Sequence, residues 1–188
     1  MSESIHPRIR FTKTREVLSP CRNNSTDAGI DFYVPTDLTV CEILSISSNN
    51  SIITELNPYK NFKENLDGFI EKITLDPGQR ILIPSGIKVL IEPENSMLQA
   101  NNKSGISSKS GLIFTAQVVD SPYIGEVHIG IFNSSKTKSA EIVAGKKLVQ
   151  FIHIPVFLTK PQEISNAEYQ TISEDWGTRG ANGFGSGD

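Results

Sequence analysis

The stretch from which the fold can be predicted is Val118-Val119-Asp120-Ser121-Pro122-Tyr123-Ile124-Gly125-Glu126. Two β-branched residues lead into Asp120 and a Ser-Pro pair follows, which is typical of a strand that ends in a type I turn. Asp120 and Tyr123 stand three residues apart on that turn. The pattern predicts that a strand delivers a carboxylate and an aromatic ring to one end of the fold. A plain strand, turn and strand with no functional role is the alternative interpretation.

Strand-like segments lie on both sides of this stretch and are separated by turns rich in glycine and proline. The clearest are residues 80–84, 87–91, 127–132 and 148–156. Many short strands with such turns are typical of an all-β sandwich, barrel or jelly roll. Residues 148–156 are apolar on both faces, which predicts a central strand.

Composition narrows the class of protein. The chain has 188 residues, which predicts one main domain, and its net charge of −3 argues against a nucleic-acid duplex as partner. No apolar stretch is long enough to span a membrane. Two cysteines and three well-separated histidines favour neither a disulfide nor a zinc site. The first residues are polar and show no signal peptide, so we expect a cytoplasmic protein.

Three further segments carry candidate binding residues. Lys103-Ser104-Gly105 supplies an ammonium, a hydroxyl and free backbone N–H groups, which can hold an anion, although a solvated Ser/Gly loop is the alternative. Asp31 is a lone acid among bulky residues, and Gly29 before it permits a close approach by backbone or ligand. Gln150 lies in the apolar strand, where its amide needs partners in the core or on a ligand.

Two regions depart from the strand pattern. We interpret residues 41–75 as an inserted hairpin or short helix on the outside of a β domain that spans residues 1–158; this segment shows no recognisable site. A C-terminal arm, residues 159–188, follows and ends in a glycine-rich tail. Such a tail is typically mobile, yet it carries Arg179 and an isolated aromatic ring, Phe184, which suggests packing on a ligand or another subunit.

Taken in order, five segments resemble the trimeric dUTP diphosphatase (dUTPase) family. They are Asp27-Ala28-Gly29-Ile30-Asp31, Lys103-Ser104-Gly105, Val119 to Glu126, Gly145-Lys146-Lys147-Leu148-Val149-Gln150, and Arg179-Gly180-Ala181-Asn182-Gly183-Phe184-Gly185-Ser186. The short spacing from Gly111 to Asp120 resembles phage members. The resemblance implies a jelly-roll-like distorted barrel and a homotrimer whose three active sites are shared between subunits. It also implies Mg²⁺ as cofactor, dUTP as substrate and, for a phage protein, the host cytoplasm.

The resemblance also implies a role for each matched residue. Asp120 would orient and deprotonate the water that attacks the α-phosphorus, and Tyr123 would pack under the deoxyribose. Asp31 would support a metal indirectly, through water. The implied substrate-binding residues are Lys103, Ser104, Gly105, Gln117, Tyr123, Gln150, Arg179, Phe184, Gly185 and Ser186. Residues 114–118 would supply backbone groups that distinguish uracil from cytosine.

Two residues depart from the family pattern, and other functions stay open. Lys103 stands where arginine is usual, which loses the planar fork, and Gln117 stands where glycine is usual. A dCTP deaminase or a bifunctional nucleotide enzyme is the first alternative. Deaminases need a glutamate at the position that aligns with Gly130, and glycine cannot transfer a proton. A non-catalytic regulatory protein of the same fold is the second, and residues 41–75 could also serve as a protein partner surface.

Overall fold

The structure is a computed structural model that describes residues 6–49 and 56–176. The chain divides by its internal contacts into two units, Met1–Val156 and Phe157–Asp188. The predicted division of the chain at residue 158 stays a prediction. No described helix is long and apolar enough to cross a membrane.

Strands dominate the first unit. They are β1 (Arg8–Lys13), β2 (Ile30–Tyr33), β3 (Phe62–Glu64), β4 (Ile70–Leu75), β5 (Arg80–Glu92), β6 (Ser96–Asn101), β7 (Leu112–Phe114), β8 (Val118–Asp120), β9 (Glu126–Asn133), β10 (Ala140–Val143) and β11 (Lys147–Pro155). The helices of this unit are short: α1 (Val40–Asn49), α2 (Pro58–Asn61) and α3 (Ser104–Ser110). Helix α4 (Asn166–Glu174) belongs to the second unit.

The described strands form three antiparallel sheets, with the orders β1-β5-β9-β7, β10-β4-β3 and β2-β11-β6-β8. One hydrophobic core receives side chains from all three sheets, among them Phe32, Ile73 and Ile131. No sheet closes into a barrel among these strands. The prediction of an all-β, jelly-roll-like fold is confirmed.

Strand β6 shows why one sheet has a core face and an open face. Its buried residues, Ser96, Leu98 and Ala100, alternate with half-buried Met97, Gln99 and Asn101. Successive strand residues point to opposite faces, so the odd-numbered positions of β6 share the face that water reaches. The candidate site residues on the neighbouring strands can be placed by their register against these positions.

Residues 41–75 differ from the expected external insertion. Ile43 of α1 and both Ile73 and Leu75 of β4 are completely buried, and β4 is the middle strand of its sheet. The strand was missed because its apolar residues fall at 70, 73 and 75, which is not a regular alternation. Helix α2 begins at Pro58 because the Asn57 side chain accepts hydrogen bonds from two backbone N–H groups of the first turn.

The second unit contains one described helix. The Ser165 side chain caps α4 by accepting a hydrogen bond from the backbone N–H of Glu168. None of its residues is buried, and Tyr169 and Ile172 on this helix are exposed. The predicted tail functions of Arg179, Phe184, Gly185 and Ser186 lie outside the described residues.

Candidate functional site

Two of the predicted site residues are direct partners in the antiparallel pairing of β2 with β11. Asp31 lies opposite Gln150, and Gln150 lies opposite Asn101 of β6 on its other side. Residues directly opposite each other in an antiparallel pair point to the same face. Asp31 and Gln150 therefore share the open face of the sheet that β6 defines.

Gly29 lies closely against the side chain of Gln150. A Cβ atom at residue 29 would overlap the Oε1 atom of Gln150 and lie 3.1 Å from its Cβ atom. The Nε2 atom of Gln150 donates a hydrogen bond of 3.0 Å to the backbone carbonyl of Asn102. The Gln150 amide is thus held between Gly29 and Asn102. It therefore has the partner that a polar group in an apolar strand needs.

Asp31 is a buried carboxylate that carries two ammonium groups. Lys103 Nζ bonds to one oxygen, and Lys147 Nζ lies 2.8 Å from the other. Burial alone would raise the pKa of Asp31, but hydrogen bonds from both lysines outweigh it and hold the pKa below its usual value. The hydrogen bond between Lys147 and Asp31 also raises the pKa of Lys147. Asp31 and Lys147 are therefore both charged at neutral pH.

A cavity of about 260 Å³ opens beside this ion cluster. It is lined by Asn23, Asp27, Ala28, Gly29, Asp31, Lys103, Gln150 and Ile152. Ser104 and Gly105 are exposed in the first turn of α3, where backbone N–H groups have no partner within the helix. Three of the five motif segments thus meet at this pocket.

The turn after β8 has the geometry that its sequence predicts. The backbone N–H of Tyr123 bonds to the carbonyl of Asp120 at 3.1 Å, which closes the turn over Ser121-Pro122. The Tyr123 hydroxyl donates a hydrogen bond of 2.8 Å to the carbonyl of Glu126. The ring lies over Gly125, where a Cβ atom would come within 2.6 Å of its Cζ atom. The ring is 44% exposed, so it keeps a free surface.

Asp120 does not line the pocket. It lies opposite Met97 of β6, whereas Gln150 lies opposite Asn101 on the other side of that strand. Four residues along β6 and two strand spacings across it separate the two Cα atoms by about 16 Å. The turn and the pocket therefore lie on the same face of the sheet, but they are separated from each other within a single chain.

The sequence assigns no role to Asn23 and Asp27 of the pocket wall, nor to Lys147, which does not line the pocket but pairs with Asp31. The Nζ atom of Lys147 also lies 3.4 Å from Oδ1 of Asn23. Asn23 and Asp27 come from the turn before β2. The lysine in the Gly-Lys-Lys segment was a usable signal, because a cation placed three residues before Gln150 lies on the same strand.

Gln117 lies in the loop before β8 and is exposed. Its backbone carbonyl accepts a hydrogen bond of 2.7 Å from the N–H of Ala100, which fixes this loop along β6. The Gln117 side chain is not part of the pocket lining. Its predicted contact with the base stays a prediction.

A preformed metal cage is absent from the part of the chain that the structure describes. No group of three or more His, Cys, Asp or Glu side chains there is arranged to hold an ion. Both oxygens of Asp31, the residue expected to act on a metal through water, pair with lysines. The donor set suits a Mg²⁺ ion held mainly by substrate phosphates and water, which is the usual coordination of Mg²⁺ at nucleotides.

The fold and the site together define an all-β protein with a lysine-lined pocket and a separate carboxylate turn. A family model described as dUTPase matches residues 69–187, which is more than half of the chain. The match includes the segments of Lys103, Asp120 and Gln150 and begins after most of residues 41–75. The chain belongs to the dUTPase family, and the prediction that it is an enzyme of this family is confirmed.

Named relatives agree with the family model. The deoxyuridine 5'-triphosphate nucleotidohydrolase of Azotobacter vinelandii is 32% identical over 118 residues, which covers 61% of this chain and 72% of the relative. The protein of the same name from Corynebacterium diphtheriae is 30% identical over 118 residues, covering 62% of this chain and 72% of the relative.

Solved structures show the same fold at lower identity. The Staphylococcus bacteriophage 80alpha dUTPase with dUPNHPP aligns with a TM-score of 0.67 and 20% identity, covering 96% of this chain and 98% of that one. A mutant dUTPase of phage phi11 of S. aureus aligns with a TM-score of 0.60 and 19% identity, covering 85% and 97%. That phi11 structure is described as showing how a structural Mg(II) ion is coordinated.

Proposed function

We propose that this chain hydrolyses dUTP to dUMP and pyrophosphate. Its membership of the dUTPase family supports the substrate. The single observation that carries the proposal is the pocket in which Asp31, Lys103 and Gln150 come together from three separate motif segments. That convergence supports a site for phosphate oxygens, because Lys103 supplies an ammonium group and Gln150 an amide at the same pocket.

Lys103 is suited to hold phosphate oxygens. Its ammonium group has three N–H donors, and among the described residues only Asp31 accepts one of them. Asp31 fixes the position of the ammonium without using all its donors. Ser104 and Gly105 add a hydroxyl and backbone N–H groups, and Gln150 adds an amide at the same pocket.

Asp120 would act on water rather than on the nucleotide itself. Its carboxylate accepts the proton of a water molecule whose oxygen attacks the α-phosphorus. The bond from the α-phosphorus to the oxygen that bridges to the β-phosphorus breaks, and pyrophosphate leaves with that oxygen. Placing a water and a base in line in this way supplies proximity and general base catalysis. Mg²⁺ bound to the phosphates would neutralise their charge.

Tyr123 would select the sugar and the loop before β8 would select the base. The free surface of the Tyr123 ring can pack under a deoxyribose, where a 2′-hydroxyl would have no room. Backbone groups of residues 114–118 would read the donor and acceptor pattern of uracil. Gln117 belongs to this loop, and its side chain would line the base side of the site.

The separation of Asp120 from the pocket supports a site shared between chains. With their Cα atoms about 16 Å apart along one sheet, Asp120 and Gln150 of the same chain are poorly placed to meet on one α-phosphate. A symmetric homotrimer would bring the turn of one subunit to the pocket of the next. In this arrangement the tail residues Arg179, Phe184, Gly185 and Ser186 would close the site over phosphate and uracil.

Deamination of dCTP is disfavoured by the surroundings of Gly130. This residue is buried in β9, and a Cβ atom there would overlap Oγ1 of Thr115. Glycine offers no group that could transfer a proton, and a glutamate at this position would also require the exposed Thr115 side chain to rotate away. No specific observation favours a purely regulatory role over an enzyme.

The test is an assay of purified protein with Mg²⁺ against dUTP, dCTP, dTTP and UTP. We expect dUMP and pyrophosphate from dUTP and little turnover of the other three nucleotides. Ammonia release from dCTP would establish the deaminase instead. Binding of dUTP with no turnover of any nucleotide would favour the non-catalytic alternative.

A further inference from the structure

Arg15 lies two residues after β1, outside every motif quoted above, and only 16% of its side chain is exposed. Its two terminal nitrogens both bond to the Glu42 carboxylate in the first turn of α1, with Nη1 to Oε2 at 3.0 Å. The hydrogen bond to Glu42 raises the pKa of Arg15, so the guanidinium stays charged. A bidentate pair of this kind fixes the orientation of the guanidinium plane.

The remaining nitrogen of Arg15 points toward the turn that carries Asp120. Its Nε atom lies 4.0 Å from Oε1 of Glu126, the first residue of β9. This buried N–H has no hydrogen-bond partner among the described residues. A buried donor so close to a carboxylate is attracted to it directly or through one bridging water.

Glu126 in turn is anchored at an irregularity in β5. The pairing of β5 with β9 changes register between Pro84 and Lys88, and within this gap the N–H of Gly86 donates a 2.6 Å hydrogen bond to Oε1 of Glu126. Gly86 has a φ of +73°, and a Cβ atom there would lie 2.5 Å from Cγ of Arg15. The Arg15 stem and the Glu126 carboxylate therefore fit around this glycine.

The backbone of Glu126 holds the ring of Tyr123. Its carbonyl accepts the hydrogen bond from the Tyr123 hydroxyl at 2.8 Å. A shift of Glu126 would therefore move the ring and loosen the turn whose N–H bonds to Asp120 at 3.1 Å. A continuous set of contacts joins Glu42, Arg15, Glu126 and Tyr123.

We propose that Arg15 is a positioning residue that, held by Glu42, fixes Glu126 and thereby sets the Tyr123 ring against the sugar of the nucleotide. The part of this statement that concerns the sugar rests on the proposed function. The contacts also join α1 of residues 41–75 to the active-site turn, so that segment takes part in shaping the site. Arg15 acts through other residues and does not touch the substrate.

The test compares Arg15→Gln with Arg8→Gln. Arg8 pairs with Glu92 on the sheet that contains β9, is 63% exposed and forms no hydrogen bond or ion pair with the turn among the residues that the structure describes, which makes it a matched control. We expect Arg15→Gln to raise KM for dUTP about tenfold and to reduce discrimination against UTP by a similar factor, with kcat changed less than about threefold. Arg15→Lys should recover part of the loss, since it keeps a charge near Glu42.

Hydrogen exchange supplies a readout that needs no substrate. Amides in residues 118–126 should exchange faster in Arg15→Gln than in wild type, and Arg8→Gln should leave them unchanged. If Arg15→Gln folds poorly, the less disruptive variant Glu42→Gln can replace it. Amides in residues 118–126 should exchange faster in Glu42→Gln as well. Unchanged exchange in a folded Arg15→Gln variant would overturn the proposal, even if dUTP proves not to be the substrate. Unchanged KM and sugar discrimination in a variant of an active enzyme would overturn it as well.

Discussion

Asp31 and Asp120 are two aspartates on the same face of the same sheet, and their surroundings are opposite. Asp31 is buried and holds two lysines, whereas Asp120 is exposed and has no side-chain partner among the described residues. The first arrangement suits a group that must stay fixed and charged to organise a binding pocket. The second suits a group that must reach water. The comparison separates a preformed binding region from a reactive region that the single chain leaves open.

Replacing Asp120 should have the largest effect on rate. We expect Asp120→Asn to lower kcat by about a thousandfold, because a positioned general base contributes on this scale. Its thermal unfolding should match that of wild type, since the carboxylate is exposed and unpaired within the described residues. Steady-state pyrophosphate release gives the rate, and calorimetry with an α,β-imido analogue of dUTP gives the affinity. A variant that retained wild-type turnover would remove Asp120 from its role.

Mixing two inactive variants tests whether the two regions work across chains. Trimers made only of Asp120→Asn chains, or only of Gln150→Ala chains, should have little or no activity. After unfolding and refolding together in equal amounts, about one quarter of the sites should combine an intact turn with an intact pocket. Activity should recover accordingly. Refolding each variant alone is the control, and no recovery in the mixture would place both residues in a site within one chain.

Replacing Asp31 should affect stability more than any exposed carboxylate does. We expect Asp31→Asn to reduce the free energy of unfolding by about 2 kcal/mol, because it removes charged hydrogen bonds while both lysines can still reach water. Glu92→Gln is the matched control, since Glu92 also carries two cations, Arg8 and Arg10, which are both exposed. Glu92→Gln should lower the stability clearly less than Asp31→Asn does, because exposed ion pairs contribute little. Urea unfolding measures both.

The difference in the free energy of unfolding between wild type and Asp31→Asn should fall as the pH is lowered. The pKa of Asp31 is lowered in the folded protein, so its stabilisation is present above the unfolded value, about 4, and is lost as the pH falls through the folded value. Wild type and Asp31→Asn should therefore differ most near pH 7 and converge below about pH 4. A difference that persisted at pH 2 would show that the lysine pairs are not its source.

Replacing Lys103 by arginine should have the smallest effect. Lys103→Arg restores the planar fork, which can bind phosphate oxygens in pairs, and we expect KM for dUTP to fall about threefold. Lys109→Arg on the last turn of α3 is the control, because Lys109 is exposed and away from the pocket. A rise in KM would show that the pocket is adapted to the narrower ammonium group.

The sequence predicted those features that depend on local pattern. The strand that ends at Asp120, its Ser-Pro turn and the all-β class all follow from alternation and turn chemistry. The pairing of Asp31 with Gln150 depends on the register of two strands more than a hundred residues apart in sequence, which no local pattern specifies. The resemblance grouped the two residues but did not reveal the close contact between Gly29 and the Gln150 side chain.

Lys147 and residues 41–75 show why the rest could not be predicted. Lys147 and Lys103 are far apart in the chain, so their common partner, Asp31, appears only when β2 and β11 are paired. Residues 41–75 are interpreted as external because they contain a polar Ser/Asn loop and a charged stretch with weak helical spacing, yet Ile43 and Ile73 are fully buried in the core. Burial there is decided by tertiary packing, which overrides weak local periodicity.

The contact between Gly130 and Thr115 limits how this scaffold could change its chemistry. A glutamate introduced at residue 130 would displace the hydroxyl of the exposed Thr115 side chain, while the next nearest atoms lie at an ordinary contact distance of 3.6 Å. A smaller residue at 115 would remove this contact. An evolutionary route from splitting a nucleoside triphosphate to removing an amino group from its base would thus be eased by a second substitution at 115.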